Sequence, residues 1–339
     1  MEKFVCVRMV QGNGMDLSLF QFDYDMSFAV FFLNPDRTIY GRYGTRSRKP
    51  KEAHKDISLE GLAAAMKGAL ALHADFPAHR ESLQGKTGPR PSFAVPEKIP
   101  ALAAANRYQA ELAKGDQKTI SRSCIHCHQV HDALREDYFQ RGEQLPDKLL
   151  YPWPMPDVVG MVCDPGQRAT LARVPAGSPA ALAGLKAGDE IKQVNGQPIL
   201  SIADVQWILH NSKGETVLKV EATRGRDTPD FISARVPLEP GWRTKSDIAW
   251  RTSSWALRRI ATGGLLLEEL PETERKRRRI VEGRMALRAE HVGQYNKHAA
   301  AKRAGFRKND LLVSFDGRND LLTETALFAY VLQNKKAGQ

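Results

Sequence analysis

The sequence predicts a multidomain α+β chain, and three observations carry that expectation. The chain has 339 residues, more than one ordinary core accommodates. Runs with the two-residue period of strands alternate with runs of helical period, so neither class dominates. A set of turn and strand signals beginning at Ala183 returns at Ala304, a constant offset of 121 residues (304 − 183). Hydrophobic residues make up 42 %, enough to bury real cores, which excludes a globally disordered chain. Composition and turn signals divide the chain into residues 1–86, 87–156, 157–240, 241–282 and 283–339.

In the first segment Phe4 to Val10 alternates as a strand would. Phe28 to Leu33 reads as a buried strand, Asn34-Pro35-Asp36-Arg37 as a turn and Thr38 to Tyr43 as the returning strand of a hairpin. Ser58 caps an apolar-periodic helix over Leu59 to Leu72. The stretch Phe20 to Arg46, with Asp23-Tyr24-Asp25 before the hairpin and Tyr40-Gly41-Arg42-Tyr43-Gly44-Thr45-Arg46 closing it, resembles bacterial thioredoxin-like proteins that carry PDZ domains downstream, some of them selenoproteins. The resemblance implies a partial thioredoxin-like domain whose first half is missing. A redox-active thioredoxin needs C-x-x-C at the start of its first helix. This segment has only Cys6, read as a small buried hydrophobe, and Met26-Ser27 stand where a proline is expected. The active half therefore lies upstream of Met1, or the segment is a redox-dead scaffold.

Gly85-Lys86-Thr87-Gly88-Pro89-Arg90-Pro91 reads as a linker, followed by an alanine-rich helix near Leu102 to Leu112. Cys124-Ile125-His126-Cys127-His128 then spells C-x-x-C-H, the attachment signature of a covalent c-type haem. Two thiols one helical turn apart can each add to a vinyl group on the porphyrin edge, and His128 can reach the iron as proximal ligand. Met155, in the proline-rich stretch Pro152 to Pro156, is the candidate second axial ligand. A zinc site completed by His126, His128 or His131, and a plain redox or structural cysteine pair, stay open as alternatives.

From Val158 the chain reads Val159-Gly160-Met161, then a strand over Ala169 to Val174, then Gly177-Ser178-Pro179-Ala180-Ala181-Leu182-Ala183-Gly184-Leu185-Lys186-Ala187-Gly188-Asp189-Glu190-Ile191 and Val194-Asn195-Gly196. A helix near Ile202 to His210 and strands near Val217 to Thr223 and Phe231 to Val236 complete the set. This resembles the PDZ domain of bacterial periplasmic proteases and secretion proteins. The resemblance implies a partial barrel that binds an extended peptide by strand addition, with backbone N–H groups holding a C-terminal carboxylate. Gly160 and Met161 are the candidate donors; Ala203 and Trp207, at the helix start, would flank the peptide. The repeat at Ala304 to Leu312 and Phe315-Asp316-Gly317, with its helix over Thr323 to Leu332, is a second PDZ-like unit. It breaks off where two further strands are due, and its carboxylate loop would lie near Gly283 to Leu287.

The formal charge is +11, and Arg275 to Arg279 forms a basic block read as a solvated helix face or linker. No zinc finger, helix-turn-helix or RNA-binding motif accompanies it, so no nucleic-acid partner is expected. No apolar run reaches the roughly 18 residues of a membrane span. No Gly-x-Ser-x-Gly stretch is present, which argues against a serine protease. The reading is an extracytoplasmic, periplasmic redox-linked binding or scaffold protein with one haem c, a redox partner protein and peptide C-termini as ligands. The signal peptide would lie upstream. The alternatives are a thiol-disulfide or seleno-oxidoreductase with its active motif upstream, and a zinc-stabilised PDZ scaffold.

Overall fold

The structure, a computed structural model, describes residues 2–46, 55–106, 124–225 and 227–335. These sort into two compact units, residues 1–130 with 151–246, and residues 131–150 with 247–339. The N-terminal segment and the first repeat thus share one unit, and the stretch read as a connector contains a strand, Leu265–Glu269.

In the first unit β1 (Val30–Leu33) and β2 (Ile39–Tyr43) form the expected hairpin. Its turn closes by hydrogen bonds from Arg37 N–H to Asn34 O and from Asn34 N–H to Thr38 O. Every residue of β2 is buried. Helix α1 (Leu59–Ala74) starts where Ser58 accepts the Gly61 N–H at 2.9 Å. Its buried stripe is small: Gly61, Ala65, Gly68, Ala69 and Leu72. A Cβ at Gly68 would meet Leu200 at 2.8 Å, and one at Gly61 would collide with the Pro165 carbonyl, so the helix approaches as closely as its glycines allow. A second helix, α2 (Phe76–Leu83), follows directly.

Phe4 to Val10 forms no strand. Val5, Val7 and Val10 are 95 %, 85 % and 76 % exposed, and Cys6 is exposed rather than buried. Alternation alone does not make a strand; this segment finds no described strand to pair with. The Gly85–Pro91 linker is a second correction. Lys86 is fully buried, and a Cβ on Gly85 or Gly88 would press into Gln197 or Trp207 at 2.6 Å. The expected alanine-rich helix is a 3-10 turn over Pro100–Asn106; its remainder lies outside the described residues.

Helix α3 (Cys127–Gln140) opens at the cysteine cluster; Val130 ends the first unit's share of it. The first repeat follows with β3 (Val162–Cys163) paired to β4 (Leu171–Arg173), and a four-stranded sheet of order β6-β5-β7-β8. Its strands are β5 (Glu190–Val194), β6 (Gln197–Pro198), β7 (Thr216–Arg224) and β8 (Asp230–Leu238). Leu218, Val220 and Ala222 of β7 face inward beside Ala234, Val236 and Leu238 of β8, the strict alternation of a one-sided sheet. Helix α4 (Ile202–Asn211) packs Val205, Ile208 and Leu209 into this core.

In the second unit β9 (Leu265–Glu269), β10 (Leu287–Val292) and β11 (Leu311–Leu312) form a sheet of order β11-β10-β9. Helices α5 (Ser254–Thr262) and α6 (Glu324–Asn334) accompany it. Glu324 is buried against Arg258, at 3.0 and 2.6 Å, and also accepts the Leu267 N–H at 2.9 Å. Arg135 of α3 donates to Ser253 Oγ at 2.7 Å. The basic block sits on a short helix, Glu272–Arg277, none of whose residues is buried, paired along its own surface with Glu272 and Glu274.

The repeat is visible in the backbone. Gly184 and Gly305, Gly188 and Asn309, Asn195 and Asp316, and Gly196 and Gly317 all have positive φ at the 121-residue offset. Where Gly188 becomes Asn309 the left-handed conformation is kept, since Asn is among the few residues that tolerate it. Asp189 accepts the Lys186 N–H and Asp310 accepts the Arg307 N–H, both at 2.8 Å.

The most deeply buried charge cluster of the first unit joins β2, the 85–88 segment and α4. Lys86 Nζ lies 2.8 Å from Asp204 Oδ1, with both side chains fully buried. Asp204 also accepts the Arg42 N–H at 3.1 Å and the Leu200 N–H at 2.9 Å. Asp204→Ala leaves an ammonium in the interior and should cost about 3–5 kcal/mol. Lys86→Met should cost less than half as much, because the carboxylate keeps two backbone donors and its place in the first turn of α4. Urea unfolding of the two full-length variants checks this; equal losses would mean that the carboxylate is not otherwise supported.

Candidate functional site

The loop before β3 is built around Gly160. A 3-10 turn over Pro156–Val159 ends there in a left-handed conformation, φ +88°. A Cβ at this position would collide with the Ser178 side chain, which itself caps the short helix Pro179–Leu182. Only glycine serves both demands. The Gly160 N–H donates to Asp157 O at 2.9 Å and the Met161 N–H to Pro156 O at 3.1 Å, so both candidate carboxylate donors are engaged as the cap of that turn. The Met161 side chain is wholly buried in the core. Beyond the loop, β3 pairs with β4 along one edge, and no described strand pairs with the other.

The first eight residues of α4 are all buried, Ala203 and Trp207 among them. A helix at the margin of a small barrel would ordinarily leave one face to solvent. Here other parts of the unit cover it. The Trp207 indole N–H donates to Gly85 O at 2.8 Å, and the Arg42 guanidinium lies 3.9 Å above its ring. Arg42 is further held by Gln21 O at 2.9 Å and Lys86 O at 2.8 Å, and burial lowers its pKa to about 10. Gln206 donates to Trp153 O at 3.0 Å and accepts from the Thr45 hydroxyl at 2.5 Å. The Trp153 N–H donates to His210 Nδ1 at 3.2 Å, and its ring stacks on that imidazole at 4.7 Å and 9°.

The cysteine–histidine cluster is held by the N-terminal segment. Cys124 Sγ donates to Gln11 Oε1 at 2.9 Å, the Ile125 N–H to Asn13 Oδ1 at 2.7 Å and the Gly12 N–H to Ile125 O at 2.7 Å. Ile125 is buried between Cys124 and Cys127 in the sequence, both of which are half-buried and outside any disulfide. His128 occupies the first turn of α3 and stacks with His126, ring centroids 5.9 Å apart. Burial pushes the Cys127 thiol up, which keeps it protonated at neutral pH. Met155 stands beside α4, its sulfur 3.1 Å from the Thr45 hydroxyl oxygen.

The structure therefore gathers Met155, Gly160, Met161, Ala203 and Trp207 around α4 and β3, and Cys124, Cys127 and His128 at the start of α3. Sequence reasoning passed over Arg42, Thr45, Lys86 and Trp153. For Lys86 no local signal exists, since a lysine between glycines reads as solvated chain. Trp153 is different: an aromatic inside a proline-rich stretch marks a segment with a surface to bury.

The family model of the PDZ domain matches residues 170–221. Residues 170–221 form a PDZ domain. It takes in β4, β5, β6, α4 and part of β7, the sheet-and-helix frame just described. No curated protein matches the chain. The PDZ domain suggests a protein-binding or scaffold role, with peptide or protein partners. Among the described residues no helix is long and apolar enough to cross a membrane.

Cys163, on β3 of the candidate groove, has its thiol pushed up to about 12 by burial, with Asp157 and Asp164 adding to the effect. At pH 8 only about one molecule in ten thousand carries the thiolate. Iodoacetamide should alkylate the exposed Cys6 at least a hundredfold (~) faster than Cys163, as peptide mapping by mass spectrometry would read. Comparable rates at the two positions would contradict the burial of the Cys163 thiol.

Proposed function

We propose that the chain is an extracytoplasmic binding scaffold whose PDZ domain takes extended peptide C-termini between β3 and α4. The observation that carries this is the β3 edge without a described strand partner, opening at the Gly160 loop. A peptide laid there would gain main-chain hydrogen bonds from β3 and side-chain contacts from the helix. Its carboxylate would take the Gly160 and Met161 N–H groups once these leave their present acceptors. The second unit, with the same turn conformations and aspartate bonds at the 121-residue offset, is read as a divergent PDZ-like unit.

The cluster at the start of α3 is read as the attachment site of one c-type haem, which would supply one-electron chemistry. Two half-exposed cysteines outside any disulfide, one just before and one at the start of α3, and an adjacent imidazole fit the group in kind. Met155 remains the proposed sixth ligand and would have to exchange its contact with Thr45 for iron. A covalent haem also implies an extracytoplasmic location and a redox partner protein. The upward shift of the Cys127 thiol favours this over a thiol-disulfide active site, which relies on a lowered thiol pKa. Zinc held by the same residues is the alternative cofactor.

Two measurements test the reading. Coexpressed with a cytochrome c maturation system and an export signal, the protein should keep haem absorbance after denaturation, and Cys124→Ala with Cys127→Ala should remove it. A colourless wild-type protein with stoichiometric zinc would replace haem by zinc. Peptides with a free apolar C-terminus should bind at about micromolar affinity, and amidating that terminus should weaken them roughly tenfold, the loss of one charge-assisted interaction. Indifference to amidation would remove Gly160 and Met161 from the carboxylate role.

A further inference from the structure

The side of α4 that carries Gln206 and His210 is already satisfied by the chain itself. Trp153 presents both of its main-chain polar groups to the helix, its N–H to His210 and its carbonyl to Gln206, one helical turn apart. Its ring stacks on His210 and lies 5.8 Å from that of Trp207. An extended ligand residue lying along the helix would offer the same groups. Thr45 takes the remaining oxygen of the Gln206 amide, and Arg42 covers Trp207. Trp153 is held at φ +51°, a conformation that a bulky residue adopts only where its surroundings impose it. Three residues on, the chain enters the 3-10 turn that consumes the Gly160 and Met161 N–H groups. Helix coverage and loop engagement are thus parts of one continuous segment, residues 153–161.

We infer that the PDZ domain is closed in cis: Trp153, backed by Thr45, occupies the α4 side of the groove, and peptide binding requires its displacement together with the unwinding of the Pro156–Val159 turn. The inference rests on the peptide-binding reading above. Closure lowers the apparent affinity by the fraction of molecules that are open, so weakening it tightens binding without any new contact to the ligand. Thr45 belongs to the N-terminal segment, so whatever engages that segment controls the groove.

The test is a fluorescence-anisotropy titration of the full chain with a fluorescent peptide bearing an apolar C-terminal residue and a free carboxylate. Trp153→Ala should tighten binding about tenfold or more, which corresponds to a wild-type chain open less than about a tenth of the time. Thr45→Val, which removes one hydroxyl at nearly constant shape, should tighten it by a smaller factor, about twofold to fivefold. It keeps the test decisive if Trp153→Ala fails to fold, as its urea transition would reveal. Amide hydrogen exchange at Val162 and Cys163 should speed up in the same order. If the wild type and a folded variant bind alike within twofold, closure is overturned while peptide binding stands. If none of the three proteins binds, the peptide-binding reading itself is lost and closure with it.

Discussion

The first unit is organised by a buried ion pair. Lys86 and Asp204 come from distant parts of the sequence, and the buried ammonium in particular has no other counter-charge at hydrogen-bond distance among the described residues. Together they fix three elements at once, since Asp204 also anchors β2 through the Arg42 N–H and Lys86 offers its carbonyl to the Arg42 guanidinium. Ser201 adds a hydrogen bond from its hydroxyl to the Arg42 carbonyl at 2.5 Å. Apolar packing would press the hairpin against α4 in several registers of similar energy. The charged cluster accepts one, because any other strands an ammonium or a carboxylate.

The second unit uses the same device in its own terms. Glu324, in the first turn of α6, is a buried carboxylate that meets an arginine and a strand N–H. Burial pushes its carboxyl up while Arg258 opposes that shift. In both units a left-handed glycine closes a helical turn just before a strand, Gly160 after the 3-10 turn and before β3, and Gly263 after α5 and before β9. The amides that follow are therefore committed to local capping. At the Gly160 loop, a ligand of the proposed kind would compete with intramolecular hydrogen bonds rather than with water.

Local chemistry was legible in the sequence. The Asn34–Arg37 turn, the Ser58 cap, the Gly184 and Gly188 turns and the Asn195-Gly196 hairpin were all readable, because each is decided by residues adjacent in the chain. The PDZ domain followed from a long run of such signals. Partnership was not legible. Phe4 to Val10 has a strand's alternation without a strand's neighbour, and Lys86 looks like linker until α4 is known to lie beside it. For the same reason the spacing of Cys124, Cys127 and His128 speaks to their chemistry, whereas Met155 is placed by Thr45 and α4, contacts that no spacing rule encodes.

The bond from Arg42 to Asp204 spans 162 residues of sequence. During synthesis the hairpin leaves the ribosome long before α4 exists. At about 5–20 residues per second, roughly 10–30 s pass before Asp204 can meet it. Through that interval the apolar strands Val30–Leu33 and Ile39–Tyr43 have only the segments ahead of α4 to shelter them, among them Phe4, Phe20, α1 and Phe76. The nascent chain is thus a natural client for holding chaperones, and its yield should depend on translation speed between those two points more than on the stability of the finished fold.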